Sequence, residues 1–107
     1  MSEYLTVIAE VQAKPGHEEA VRAGLLALVK PTHAEAGCMS YDLHESTDEK
    51  GLFFFYENWT GEKALQQHLA TPHIQAMMAQ SEQLLARPVS IKLCRRLNQP
   101  KNVLVGK

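Results

Sequence analysis

LFFFYENW, residues 52–59, decides how the rest of the chain is read. It has a strand's length and the aromatic content of one. A sheet covered by helices on one side and facing water on the other should alternate apolar and polar residues. This segment does not. Counting by two puts Phe53, Phe55, Glu57 and Trp59 on one face, and Leu52, Phe54 and Tyr56 on the other. Both sets are rich in apolar side chains, and leaving the second in water would expose a larger patch than monomers usually carry. A second copy of the chain is therefore expected to cover it, as a homodimer packed through its sheets. The period alone does not say which face meets the helices.

Working outward, STDEKG (46–51) is polar and ends in glycine, which reads as a hairpin loop. CMSYDLHE (38–45) is then the partner strand, with Met39, Tyr41 and Leu43 sharing a face. Further back, YLTVIAEVQA (4–13) is a strand with Leu5, Val7, Ala9 and Val11 on one side. Pro15-Gly16 suits a tight turn, and Glu18 and Glu19 suit the positive end of a helix. Val21, Leu25, Leu28 and Val29 recur at helical spacing, so a helix is expected over 17 to about 36, bent by Pro31.

Downstream, Thr60 caps a short helix carrying Ala64, Leu65, His68 and Leu69. Thr71-Pro72 opens a second, with Ile74, Met77, Met78, Ser81 and Leu85 on one stripe. Pro88 closes it, and VSIKLCRRL (89–97) is the last strand. The order β-α-β-β-α(α)-β is that of an α+β, ferredoxin-like fold, an antiparallel sheet with helices on one face. Residues 1–97 form one domain, and NQPKNVLVGK (98–107) is a tail without a period, loose or packed on a neighbour.

Composition limits the function classes. The 107 residues suffice for one core, and the apolar and charged shares, 45% and 21%, are those of a globular chain. Lys and Arg are scattered at a net charge of −1, which argues against nucleic acid or an anionic membrane as partner. MSEYLTVIAEV has no basic n-region and Glu10 interrupts its apolar run, so no signal peptide is expected. Cys38 and Cys94 fit no CxxC pattern and fall on opposite edges of a ferredoxin-like sheet. They read as reduced thiols of a cytoplasmic protein.

Placing the Phe53 face toward the helices brings Tyr41, Glu57, Trp59 and His68 around a mostly apolar volume. A few polar groups pointing into an apolar hollow make a site for a flat hydrophobic molecule. Core packing accounts equally well for Trp59 and better for Met77-Met78, while His68 taken alone suits a satisfied or surface histidine and His73 an exposed helix start. Glu57 is the anomaly, because a carboxylate in an aromatic strand is costly to bury alone. It either pairs with Arg95, Arg96 or a histidine, or sits at the pocket mouth. No convergent metal ligands, GxGxxG, P-loop or GxSxG motif are evident, so an enzyme here would work without a metal or tightly bound cofactor.

GCMSYDL after an amphipathic helix, then YENWTGEKALQQHLATPH and a closing strand, resembles the antibiotic biosynthesis monooxygenase domain. The likeness extends over about residues 3–97 and is closest to small bacterial quinol-monooxygenase-like proteins. Its most specific part is the run carried by Glu57, Trp59, Ala64, Leu65, His68 and His73. The resemblance implies a dimeric α/β-barrel-type assembly whose subunits oxidise phenolic or hydroquinone compounds with O2, using no flavin, haem or metal. On that reading His68 accepts a proton or pairs with the substrate anion. Tyr41 and the Trp59 N–H bond its oxygen, with Asn58 a further candidate. Phe53, Phe55, Leu43, Met77 and Met78 supply apolar walls. A related haem-degrading branch has its iron-holding residues where this chain has Val11 and Met78, which speaks against haem breakdown. Two other readings stay open: an isomerase or processing enzyme for a small oxygenated metabolite, phosphorylated or not, and a non-enzymatic dimeric binder of an aromatic compound.

Overall fold

The computed structural model describes residues 4–99 and 101. Four strands, β1 (Leu5–Gln12), β2 (Cys38–Glu45), β3 (Leu52–Trp59) and β4 (Ser90–Cys94), form an antiparallel sheet in the order β2-β3-β1-β4. This is the ferredoxin-like arrangement. Cys38 and Cys94 lie on opposite edges and are unpaired.

The register fixes the floor of the site. Tyr41, Glu57, Val7 and Leu93 stand abreast across the four strands, and Leu43, Phe55, Ala9 and Ile91 form the next row. Val7, Ala9, Val11, Phe53, Phe55, Glu57 and Trp59 are buried, so the Phe53 face is the one the helices cover. The hairpin between β2 and β3 turns at Gly51, whose φ of 78° suits glycine. Ser46 Oγ accepts from the Asp48 and Glu49 amides to hold the loop.

Five helical segments cross the covered face: α1 (Glu18–Leu26), α2 (Val29–His33), α3 (Glu62–Leu69), α4 (Pro72–Met78) and α5 (Ser81–Leu84). The single helix expected over 17–36 is two, broken at Ala27-Leu28. Pro31 has no N–H to give the Ala27 carbonyl, and the Leu28 amide bonds Leu25 instead. Pro31 then falls in the first turn of α2, where no donor is needed. The expected stripe from Ile74 to Leu85 is likewise divided: α4 ends at Met78, and Leu85 bridges Ala13 as extended chain.

Met39 does not share the Tyr41 face. A bulge between Cys38 and Ser40 sets Cys38 opposite Trp59 and turns Met39 out, 53% exposed. The last strand is shorter than 89–97, and Arg96 beyond it donates to the hydroxyls of Tyr4 and Tyr56. Most of the expected tail, 98–107, lies outside the described residues.

Candidate active site

The site begins with α3. Its apolar residues recur so that Leu65 and His68 point inward, and each is 3% exposed. The helix lies very close to β2 at Gly37, where an added Cβ would stand 2.3 Å from that of Ala64. This close approach seats the His68 imidazole on the indole of Trp59, with ring centroids 4.5 Å apart, and edge-on to Tyr41 at 5.4 Å. Tyr41 in turn stacks on Phe55 at 4.4 Å.

Each ring nitrogen of His68 has a distinct setting. Nδ1 meets Glu35 Oε2 at 2.9 Å, in the connection between α2 and β2. A carboxylate there accepts, so Nδ1 carries the proton and the neutral ring presents an unprotonated Nε2. Burial lowers the His68 pKa from its ordinary 6.5, more than Glu35 raises it, which favours that neutral form. Nε2 has no hydrogen-bond partner among the described residues, and the ring borders the cavity between sheet and helices.

Glu57 lies beneath. Two residues along one strand share a face, so the Trp59 indole N–H reaches back and donates to Glu57 Oε1 at 2.8 Å. Burial pushes the Glu57 carboxyl up to about 7; the indole bond opposes this, and the negative Glu35 adds to it. The Tyr41 phenol is raised well above its ordinary value by burial and then by Glu57, so it stays protonated and can donate.

These groups border a cavity of about 80 Å³ between sheet and helices. Its floor is Val7, Ala9 and Val11, and Leu25, Leu28, Leu65 and Ile74 wall it. Met78 and Ile91, 48% and 41% exposed, mark its mouth. The lining carries Tyr41, Glu57 and His68 as its polar members and no Lys or Arg.

A family model described as "Antibiotic biosynthesis monooxygenase" matches residues 4–80. The chain belongs to the antibiotic biosynthesis monooxygenase family. The crystal structure of PA3566 from Pseudomonas aeruginosa is 43% identical, with a TM-score of 0.86 over 92% of this chain and 98% of that one. A Mycobacterium tuberculosis protein named "Putative monooxygenase Rv0793" is 39% identical over 92% of this chain and 97% of its own length. Its structure superposes with a TM-score of 0.83 over 90% and 97% of the two chains.

Within this monooxygenase-family domain, the residues singled out from sequence divide into three groups. Tyr41, Phe55, Glu57, His68, Met77 and Met78 line the cavity. Trp59 and His73 stand behind it: Trp59 is wholly buried under His68 with its N–H committed to Glu57, and His73 bonds Glu35 from the outer side. Phe53, Leu43 and Asn58 do not line it. Phe53 sits farther along β3 opposite Val11, with the Arg22 guanidinium 5.9 Å above its ring. Leu43 is half-buried beside Phe55. Asn58 alternates to the other face, where it accepts from Thr6 Oγ1 and donates to Ser40 Oγ.

Two expectations change chemically. The Trp59 N–H is not free for a substrate oxygen, and Glu57 meets the indole rather than Arg95, Arg96 or a histidine. Glu35 is the residue sequence reasoning missed. Glu35 left one signal: a carboxylate just past a helix C-terminus, where the helix dipole disfavours negative charge, calls for a cationic or N–H partner elsewhere.

Proposed function

We propose that this protein is a monooxygenase that oxidises a quinol or similar small phenol with O2 and needs no bound cofactor. One observation carries the reading: an imidazole held by a carboxylate at Nδ1 borders an apolar cavity, and with its proton on Nδ1 the ring keeps an Nε2 lone pair for a substrate proton. Nε2 takes the proton of a substrate hydroxyl, and the resulting electron-rich anion passes an electron to O2. Recombination makes a C–O bond. His68 returns its proton to the peroxide, and O–O cleavage with loss of the hydrogen on that carbon leaves a carbonyl oxygen there and releases the other oxygen, with both protons, as water. A dry surround strengthens each electrostatic contact in that sequence. The Tyr41 hydroxyl is the donor for the phenolate, and Glu57 is a second group able to exchange a proton near neutrality.

The lining supports this reading over turnover of a phosphorylated metabolite, because it offers no cationic side chain to a phosphate. The test is oxygen uptake by metal-stripped protein with a panel of hydroquinones and naphthohydroquinones. His68→Ala should lower kcat by about 10²–10⁴-fold with KM little changed. The base must be neutral to act and its pKa is depressed, so kcat/KM should rise with pH through an ionisation below 6.5. Ligand binding with no oxygen uptake would make the protein a binder, and turnover without O2 would make it an isomerase.

A further inference from the structure

Glu35 is shared between two histidines. Its Oε2 meets Nδ1 of His68 at 2.9 Å and Nε2 of His73 at 2.8 Å. Two donors on one zinc ion, each about 2.0–2.1 Å from it, stand roughly 3.3 Å apart, so these separations are those of hydrogen bonds. The two imidazoles differ in setting: the His68 side chain is 3% exposed and that of His73 is 21% exposed. The break between α3 and α4 is what brings them together. Thr71 caps α4, donates to the His68 carbonyl at 2.7 Å, and lies 3.3 Å from His73 Nε2.

We propose that His73 is a positioning residue for His68 that acts through Glu35. By giving its own N–H to the oxygen His68 uses, it divides that oxygen's charge between two rings. His68 is thereby fixed with its proton on Nδ1, yet is not held too tightly as a cation once it has taken a second proton. The consequence rests on reading His68 as the base: a proton accepted from substrate must come off again within the turnover. A carboxylate devoted to His68 alone would retain it.

The titratable groups around His68 are Glu35 and His73 on the helical side, Tyr41 and Cys38 on β2, and Glu57 on β3. Of these, Glu35 and His73 act on its proton affinity in opposite directions beyond the effect of burial, the first raising it and the second lowering it. Opposite signs make the proposal testable against a merely structural role, which would move both variants alike or move neither.

The experiment is an NMR titration of ¹⁵N-labelled histidines in the full chain, without substrate. Wild-type His68 should appear with its proton on Nδ1. His73→Leu should raise the His68 midpoint by about 0.5–1 pH unit, and Glu35→Gln should lower it by a similar amount. His73→Gln keeps an N–H donor and should fall between wild type and His73→Leu, which preserves the test if the leucine variant unfolds. The acid limb of kcat/KM should shift in the same order, with KM within about twofold.

Midpoints that move in the same direction, or stay fixed, overturn the proposal. So does saturable Zn²⁺ binding by wild type that all three variants lose, since the cluster would then be a metal centre. The titration needs neither quinol nor O2. A protein inert toward every quinol but with the ordered shifts defeats the functional reading alone, and an active enzyme with an unmoved His68 defeats this one.

Discussion

Glu57 is a carboxyl group 4% exposed, held by one indole N–H and facing no cation in its pocket. Its ordinary value of 4.5 becomes about 7 in the folded protein, so the folded form binds the proton more tightly than the unfolded chain. Its contribution to stability is therefore complete below about pH 4.5, declines between 4.5 and 7, and is gone above that. The integrated loss is about 3 kcal/mol. His68 acts with the opposite sign, gaining stability as pH rises toward 6.5, but it is common to wild type and variant and cancels in their difference. Glu57→Gln, which can still accept from Trp59, should match wild type near pH 4 or below and exceed it by about 3 kcal/mol at pH 8 in denaturant unfolding. A difference that does not change with pH would mean the carboxyl is not buried as described. From sequence, Glu57 was visible as an anomaly because an acid among aromatics needs a reason. Its partner was not, since an indole two residues along competes with arginines whose reach depends on where β4 ends.

At the level of elements, His68 is positioned by how closely α3 lies on the sheet, and Gly37 sets that closeness. A methyl group there would stand 2.3 Å from the Ala64 Cβ and 3.1 Å from Thr60 Oγ1, neither at the end of a flexible chain. Gly37→Ala should therefore lift α3, costing about 1–3 kcal/mol and lowering kcat together with Tm. A variant as stable and as active as wild type would show that the helix has slack. The strands and their order were legible because strand length, β-branched and aromatic content and the 46–51 turn are local signals. The helix break at Ala27-Leu28 was half legible: Pro31 marked it, but a bend and a break satisfy the same missing N–H. The Met39 bulge was not legible. Nothing in CMSYDLHE shows that two β2 residues oppose one on β3, because the bulge belongs to the pairing rather than to either strand. Glu35 was lost for a related reason, as a residue in a connection whose partners on α3 and α4 are 33 and 38 positions away.

For the whole molecule, the face of the sheet turned away from the helices bears on how many copies work together. Pairing puts Ile8, Tyr56, Lys92 and Asp42 in one row of that face, with Phe54 in the next. Ile8 is 38% exposed, and Phe54 and Tyr56 are half-buried, so the aromatic strand that opened the reading keeps part of its second face in contact with solvent. We propose that a second copy covers this patch, since a core aromatic cluster at the centre of an open sheet is the composition of an interface rather than of a solvated surface. Light scattering on the purified protein should then give a mass of about twice 12.0 kDa. Phe54→Asp would place a charge in the middle of each contact and, by two-fold symmetry, do so twice, so the dimer should dissociate at micromolar concentration. The cavity lies on the opposite side of the sheet, and the Glu35–His68 hydrogen bond involves no residue of that patch. The His68 titration should therefore survive in the monomeric variant. A wild-type mass near 12.0 kDa would remove the dimer. A dissociated variant whose His68 no longer titrates as in wild type would show instead that the two faces of the sheet are coupled, and that the pocket depends on the partner for its shape.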